Sequence, residues 1–288
     1  MLFVPTRPPI EGIIAEIETA RRLPRRQRLA IATTVGILLG TLTWCLYAFD
    51  FSPQRLWHGL GRLGDVVSFM LPPYIWTTWD EWRGVLGGLG ETIAMAFMGT
   101  LIGAIVAFPL SFLGARVIVP MPWLRLASRR GFDTLRAVET IILALVFIRA
   151  FGLGPLAGVL AIAVSEVGTL AKVYSEAMEN TSARPVEGVR AVGAGPLQTI
   201  RYAILPQALP VMLSAALYQF ESNVRSSTIL GIVGAGGIGF LLSDRIRAYH
   251  WQEAWSIIFL IVLAVFAIDT ASGWLRMRII DPRPAATP

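Results

Sequence analysis

The sequence predicts an all-α membrane protein with six transmembrane helices, because its composition is apolar and six apolar runs are long enough to span. Only 15% of its 288 residues are charged, whereas soluble domains average about a quarter, and the mean hydropathy is +0.61. A helix crosses the hydrocarbon core with about 20 mostly apolar residues. Six stretches meet that requirement: residues 29–49, 91–113, 132–150, 156–178, 207–224 and 254–275.

Arginines indicate which side of the membrane each loop occupies. Six spans return the chain to its starting side, so both termini share that side. The loops and tails there contain 16 arginines, whereas those on the other side contain six. Arginine-rich loops remain in the cytoplasm, so we expect cytoplasmic termini and a periplasmic segment at 50–90. These loops explain the net charge of +6 without nucleic acid as a partner.

The N-terminal region is predicted to combine a tail, a span and two surface helices. The 29–49 run is too long for a signal-peptide core and lacks a small-residue cleavage site, so we expect it to remain as a span. In the cytoplasmic tail 1–28, helical spacing of apolar residues predicts an amphipathic helix: Ile10, Ile13, Ile14 and Ile17. A second such stripe in the 50–90 segment consists of Leu56, Trp57, Leu60 and Leu63.

The sequence does not indicate a catalytic, metal or cofactor site. With one cysteine (Cys45) the chain has no partner for an intrachain disulfide, and with two histidines it has few ligands for a metal centre. The G-x-G-x-x-G pattern of Gly234, Gly236 and Gly239 lacks the strand–helix–strand context and the downstream acid of a dinucleotide site. We therefore expect no cofactor, no metal and no enzymatic activity in this chain.

The glycine-rich stretch at 226–242 has two interpretations. A seventh span here would move the C-terminal arginines outside, so one interpretation is a re-entrant or partly buried excursion lined by protein or water. In the other, its five glycines only allow helices to pack closely. The residues favour neither.

Ionisable residues also lie within the predicted spans. Charges at membrane depth are costly and face the bundle interior or an aqueous path. We expect Glu139 to pair with Arg136, one helical turn earlier. For Glu166, Lys172 and Asp269 we expect ion pairs or hydrogen bonds between helices rather than a transport role.

A polar cluster, "FESNVRSST", ends the fifth predicted span. It contains six candidate residues for a transport path: Glu221, Asn223, Arg225, Ser226, Ser227 and Thr228. An arginine guanidinium and hydroxyl donors suit an oxyanion with tetrahedral oxygens. The alternative is a polar helix end that faces water.

The passage "EGVRAVGAGPLQTIRYAILPQALP", at 187–210, predicts two short helices that stand out from the membrane. Pro185 suits a first helical turn, and Glu187 near that N-terminus complements the helix dipole. Gly193 and Gly195 break this helix, and Pro196 starts a second. We expect "ILPQALP" to end the second helix and to lead the chain into the fifth span. A capped helical hairpin of this kind is typical of a docking surface.

This passage resembles the E-A-A-x3-G-x9-I-x-L-P signature of permease subunits of bacterial ABC importers, whose coupling helix sits in a groove of the ATPase subunit. Four residues match the signature by position: Glu187, Gly193, Leu205 and Pro206. Gly188 and Val189 replace its two alanines, and Ala203 holds the isoleucine position with Ile204 one later. The resemblance implies that residues 184–206 are an ATPase-coupling segment, in which the glycine at 188 costs about 1 kcal/mol of helix stability.

A second resemblance concerns the substrate. "FESNVRSSTILGIVGAGGIGFLL" is similar to the corresponding stretch of phosphonate-type permeases, which import phosphonate, phosphite or hypophosphite. It implies a type I ABC importer permease (MetI-like) core at 91–278, with the 29–49 span as an extra N-terminal helix and 279–288 as a cytoplasmic tail.

The two resemblances imply a permease of the bacterial inner membrane that transports such oxyanions while a separate subunit hydrolyses ATP. Its partners are expected to be a second permease subunit, two ATPase subunits and a periplasmic substrate-binding protein. One alternative is a permease of the same architecture for another small solute, such as an amino acid. Another is an ion-coupled secondary transporter that uses Glu139, Glu166 or Asp269, which leaves residues 187–206 unexplained.

Overall fold

A computed structural model describes residues 25–70 and 72–280, and all regular secondary structure in these ranges is helical. Eleven helices follow one another along the described chain. They are α1 (Arg25–Ala48), α2 (Pro53–Met70), α3 (Trp79–Gly114), α4 (Pro122–Ala137), α5 (Thr140–Phe151), α6 (Pro155–Glu179), α7 (Ala183–Ala191), α8 (Pro196–Thr199), α9 (Leu205–Leu230), α10 (Gly237–Arg247) and α11 (Trp251–Ile280). Two π-helical turns, Ile200–Ile204 and Gly231–Ala235, precede and follow α9.

Five segments are long and apolar enough to cross a membrane, which confirms five of the predicted spans. They are Arg25–Ala48, Trp79–Gly114, Pro155–Glu179, Pro196–Ala235 and Trp251–Arg278. Helix α3 begins 12 residues before the predicted span at 91. Asp80 and Glu81 lie in its first turn, where carboxylates stabilise a helix by interacting with its dipole.

The predicted span at 132–150 is not one helix. The chain is extended at Val138 (ψ 120°) and Glu139 (ψ 135°), so α4 ends and α5 begins there. The 12 residues of α5 extend about 18 Å, less than the roughly 30 Å of the hydrocarbon core. The expected pair of Glu139 with Arg136 is not among the ion pairs of the described residues. Glu139 instead occupies the N-cap of α5.

Residues up to Ser68 form one compact unit and residues from Phe69 form another. In the first unit, α1 has no buried residue, and α2 confirms the predicted helical stripe of the 50–90 segment. All four apolar residues of that stripe are exposed. The amphipathic helix predicted in the 1–28 tail, with its stripe at 10–17, lies outside the described ranges.

The core of the second unit is built by α3, α6, α9, α10 and α11. Helices α3 and α6 pack closely because glycines of α3 face α6: a Cβ on Gly99 would lie 2.7 Å from Ile162, and one on Gly103 would lie 2.5 Å from the Cβ of Glu166. Small residues allow such close approach of membrane helices. The coupling segment and the transport-path candidates are both attached to this rigid pair through α9.

The glycine-rich stretch is partly buried, as one interpretation expected. The π-helical turn Gly231–Ala235 continues α9, the backbone leaves helical geometry at Gly234, and α10 starts at Gly237, so the stretch contains a buried bend between two helices. It is also tightly packed, because a Cβ on Gly239 would lie 1.9 Å from the carbonyl oxygen of Thr228.

Candidate functional site

The coupling segment contains the two predicted short helices. Helix α7 ends at Ala191, and Gly193 follows with a φ of 86°, a left-handed conformation that glycine adopts without steric cost. Its N–H donates to the carbonyl of Arg190 at 2.9 Å. The Gly195 N–H donates to Gln198 Oε1 at 2.9 Å, so a side chain of α8 closes the turn between the two helices.

The expectation that "ILPQALP" ends the second helix is wrong. The π-helical turn Ile200–Ile204 joins α8 directly to α9, with the Leu205 N–H donating to the Ile200 carbonyl. Pro206 lies at the second position of α9, directly after the π-helical turn. Residues 196–235 thus form one helical segment of 40 residues, long and apolar enough to cross a membrane.

One side of the coupling segment packs against the bundle. Val186 and Ile204 are buried and Val189 packs beside them, in a cluster with Tyr174 and Met178 of α6. At its base, Gln207 Oε1 accepts from the Ser182 N–H at 3.0 Å and Gln207 Nε2 donates to the Ala203 carbonyl at 2.6 Å.

The other side of the coupling segment is open. Glu187, Gly188 and Pro206 are exposed, whereas Leu205 is half-buried. Val192, Leu197 and Tyr202 are 84%, 81% and 62% exposed. Three large apolar side chains on a protruding hairpin form a surface that suits a protein partner.

The six transport-path candidates all lie on α9 but on different faces. Asn223 and Ser227 are buried, whereas Arg225 is exposed. Glu221 forms an ion pair with Arg276 of α11 at 2.7 Å. The hydroxyls of Ser226 and Thr228 donate to carbonyls one turn earlier on α9. The structure therefore divides the predicted cluster into interior residues and one exposed cation.

Of the interior residues, Asn223 belongs to a hydrogen-bond network centred on Glu166 of α6, which is 3% exposed, whereas the buried Ser227 hydroxyl has no hydrogen-bond partner among the described residues. Asn223 Nδ2 donates to Glu166 Oε1 at 2.8 Å and to Thr100 Oγ1 of α3 at 2.9 Å. Gln219 Nε2 donates to both Glu166 oxygens, at 3.0 and 3.2 Å. The network links α3, α6 and α9, as expected for a structural carboxylate between helices.

Sequence reasoning missed two members of this network, Thr100 and Gln219. The spacing of Gln219 and Asn223 was an available signal, because residues four apart share one helix face and a buried carboxylate needs donors. Lys172 also makes the expected interhelical contact, an ion pair with Asp133 of α4 at 2.6 Å. Asp269 Oδ1 is buried without a hydrogen-bond partner among the described residues.

The exposed face of α9 carries Tyr218, Arg225 and Ile229, with the half-buried Ser222 and Ser226 beside them. Exposing an arginine and two serines to lipid costs free energy. Charged residues in membrane helices therefore usually face an aqueous path or a neighbouring subunit. No three His, Cys, Asp or Glu side chains come together in the part of the chain described here.

A helical membrane bundle whose fourth membrane-length segment is extended by an exposed helical hairpin is typical of the permease class of transport proteins. Residues 99–285 match the family described as the binding-protein-dependent transport system inner membrane component. The chain belongs to that family.

Similar proteins include the phosphate-import permease protein PhnE of Mycolicibacterium smegmatis, which is 36% identical over 92% of this chain and 49% of its own length. This chain therefore spans about half the length of that relative. The phosphite transport system permease protein PtxC of Stutzerimonas stutzeri is 35% identical over 87% of this chain and 89% of its own length.

Solved structures show the same fold at low sequence identity. The permease of the MetNI methionine ABC transporter superimposes with a TM-score of 0.63 at 24% identity, over 70% of this chain and 99% of that one. A chain of a bacterial alginate ABC transporter superimposes with a TM-score of 0.57 at 14% identity, over 88% and 98%. The predicted type I permease fold is confirmed, but the described residues contain five membrane-length segments rather than six, because the third predicted span is split into α4 and α5.

Proposed function

We propose that this chain is the transmembrane subunit of an ABC importer for phosphonate-class oxyanions, namely phosphonate, phosphite or hypophosphite. The observation that carries the proposal is the continuity of α8 with α9, which connects an exposed docking hairpin to a membrane helix bearing Arg225. Relatives named for phosphate import and phosphite transport support the substrate class.

The coupling segment, residues 184–206, is the proposed contact with a separate ATPase subunit. Glu187 and Gly188 lie on its exposed side together with Val192 and Leu197. Gly193 sets the bend of the hairpin, Val189 and Leu205 hold it to the bundle, and Pro206 lies on its exposed side. Closure of the ATPase pair then pushes α8, and α9 moves with it.

The assembly is proposed to contain a second permease subunit, two ATPase subunits and a periplasmic substrate-binding protein. Both termini, 1–28 and 279–288, lie in the cytoplasm with the coupling segment. The 50–90 segment faces the periplasm, and 91–278 is the transport domain. Loaded binding protein and ATP must each favour one state of the permease, because a ligand with equal affinity for both states shifts neither.

Within the path, Arg225 is the proposed oxyanion contact, and Ser226 and Thr228 are secondary donors beside it. A guanidinium presents several N–H groups in a planar fork that fits tetrahedral oxyanions. Asn223, Ser227 and Glu221 support the path indirectly, because they fix α9 against α3, α6 and α11. Arg225 is the member of the six that is both charged and exposed without a carboxylate partner among the described residues.

The substrate class is tested with the purified permease and ATPase in lipid nanodiscs. ATP turnover should rise when the system's binding protein is added loaded with phosphite, a phosphonate or hypophosphite, relative to the unloaded protein. The comparison sample is the same binding protein offered an amino acid. Stimulation by the amino acid alone, or by no oxyanion, would contradict the substrate assignment.

Arg225→Ala should lower oxyanion uptake about tenfold or more, because charge-assisted hydrogen bonds contribute ~1.5–3 kcal/mol each. The complex should still assemble, since the side chain is exposed. Arg225→Lys should retain part of the activity by keeping the charge without the fork. Arg247→Ala removes another exposed arginine and serves as the control. Normal uptake by Arg225→Ala would remove this residue from the path.

A further inference from the structure

The glycine turn after α9, defined as residues 231–237, is clamped between two other parts of the bundle. It follows directly on the helix that carries Arg225 and precedes α10. Gly231, Gly234 and Ala235 are buried. The contacts that hold this turn therefore decide whether the chain can move at the end of α9 farthest from the coupling segment.

On one side, α3 holds the turn through two adjacent side chains. The Gly237 N–H donates to Glu91 Oε2 at 2.9 Å, and the Ile238 N–H donates to Thr92 Oγ1 at 2.9 Å. These are the first N–H groups of α10, which have no carbonyl partner within their own helix. A carboxylate at this position also interacts favourably with the helix dipole. Two residues of α3 thus cap a helix that lies 146 positions later in the chain.

On the other side, the loop between α5 and α6 holds the turn. The Gly154 N–H donates to the Gly234 carbonyl at 3.1 Å. A Cβ on Gly234 would lie 2.5 Å from the Leu153 side chain, and one on Gly236 would lie 3.4 Å from Pro155. The turn therefore fills the space between α3 and this loop.

The backbone of the turn is conformationally permissive at two glycines. Gly234 and Gly236 have φ angles of 111° and 84°, and glycine moves between left- and right-handed backbone regions almost freely. Glu91 is only partly buried, so its carboxylate can exchange its contact for water. A glycine turn that is held by a few hydrogen bonds can act as a latch, because it stays in place until those bonds break.

We propose that Glu91 and Thr92 are positioning residues that hold the glycine turn as the closed outer gate of the transport path. The proposal rests on the proposed function, because the path and its sidedness come from there. Displacement of α9 by the coupling segment pulls residues 231–237 away from α3. The two N–H···O contacts then break together and the turn opens the path beside Arg225.

The gate is tested by thiol accessibility in the assembled transporter. Cys45, the single native cysteine, is replaced by serine, and Ser226→Cys places a thiol just before the turn. A membrane-impermeant maleimide is added without ATP on the side opposite the coupling segment. The parent should react slowly. Glu91→Ala should react about tenfold faster, which corresponds to a loss of ~1.4 kcal/mol from the free energy that favours the closed gate.

Conservative variants separate a latch from a general fold defect. Glu91→Gln keeps an acceptor oxygen and should react close to the parental rate, and Thr92→Ser should do the same. Thr92→Val removes the acceptor for Ile238 and should accelerate labelling. Glu81→Ala removes an exposed carboxylate about three turns nearer the start of the same helix and should change nothing.

Two results overturn the gate: full reaction of the parent, and equal rates for the parent and Glu91→Ala in assembled complexes. The labelling requires no transported solute, so its outcome is independent of the substrate assignment. Faster labelling of Glu91→Ala, together with no oxyanion stimulation of the transporter that retains Ser226, would keep the gate and refute the substrate class.

Discussion

The Glu166 network and the coupling segment are attached to the same helix, α9, yet they are held in opposite ways. Around Glu166 of α6, the side-chain amides of Gln219 and Asn223 of α9 donate to the buried carboxylate at 2.8–3.2 Å. On the coupling segment, Val192 and Leu197 are more than 80% exposed. Buried polar groups must find their partners within the chain, whereas exposed apolar groups on a hairpin find theirs in another protein. One region fixes the helix within the bundle, and the other is the proposed contact through which an ATPase moves it.

The largest expected effect comes from breaking the fixed region. Glu166→Ala leaves the donors of Gln219 and Asn223 without an acceptor in the bundle interior, and should lower the free energy of unfolding by about 3 kcal/mol. The measurement is thermal or denaturant-induced unfolding of the purified permease in detergent. Glu176→Ala removes an exposed carboxylate from the same helix and should have little effect. Equal stability of the two variants would contradict a structural role for Glu166.

A smaller effect, confined to partner binding, is expected from the exposed region. Glu187→Arg reverses a charge at the proposed contact and should weaken ATPase binding about tenfold, or ~1.4 kcal/mol. The permease should keep its unfolding midpoint, because exposed substitutions usually change stability by about 0.5 kcal/mol or less. Co-purification of the ATPase measures the loss. Glu81→Arg makes the same charge change far along the chain, and if both variants retained the ATPase equally, the coupling role of Glu187 would be refuted.

The smallest effect concerns Gly188. A Cβ at this position meets no atom within 4 Å, so Gly188→Ala should be accommodated and should stabilise α7 by up to about 1 kcal/mol. We expect slower hydrogen exchange of the α7 amides and unchanged or tighter ATPase binding. A Gly193→Ala variant is the matched contrast, because the φ of 86° there disfavours a side chain. Faster exchange in Gly188→Ala would show that this glycine is needed for the hairpin's shape.

The sequence predicted what depends on local patterns. Long apolar runs correctly predicted five spans, and Gly193 together with Pro196 predicted the two helices of the coupling segment. The split at Val138 was missed because the polar residues of α4 are stabilised by other helices, as Asp133 is by Lys172 at 2.6 Å. A local pattern carries no information about such partners.

The candidate path was predicted as one cluster because neighbours in sequence were treated as neighbours in space. Asn223 and Arg225 are two positions apart on a helix, which separates them by about 200° around its axis. One therefore joins the interior network and the other reaches the surface. The packing of α9 on α3 and α6 determines how the helix is oriented about its own axis, and therefore which residues face inward. For the same reason Glu91, which contacts the turn 146 positions later, could not be found from the sequence.

The most direct test of the account is ATP-dependent uptake in proteoliposomes that contain this permease, its ATPase and its binding protein. We predict accumulation of phosphite or a phosphonate that requires ATP on the side of the coupling segment and is lost in Glu187→Arg. Uptake that is driven by a proton or sodium gradient in the absence of the ATPase would contradict it.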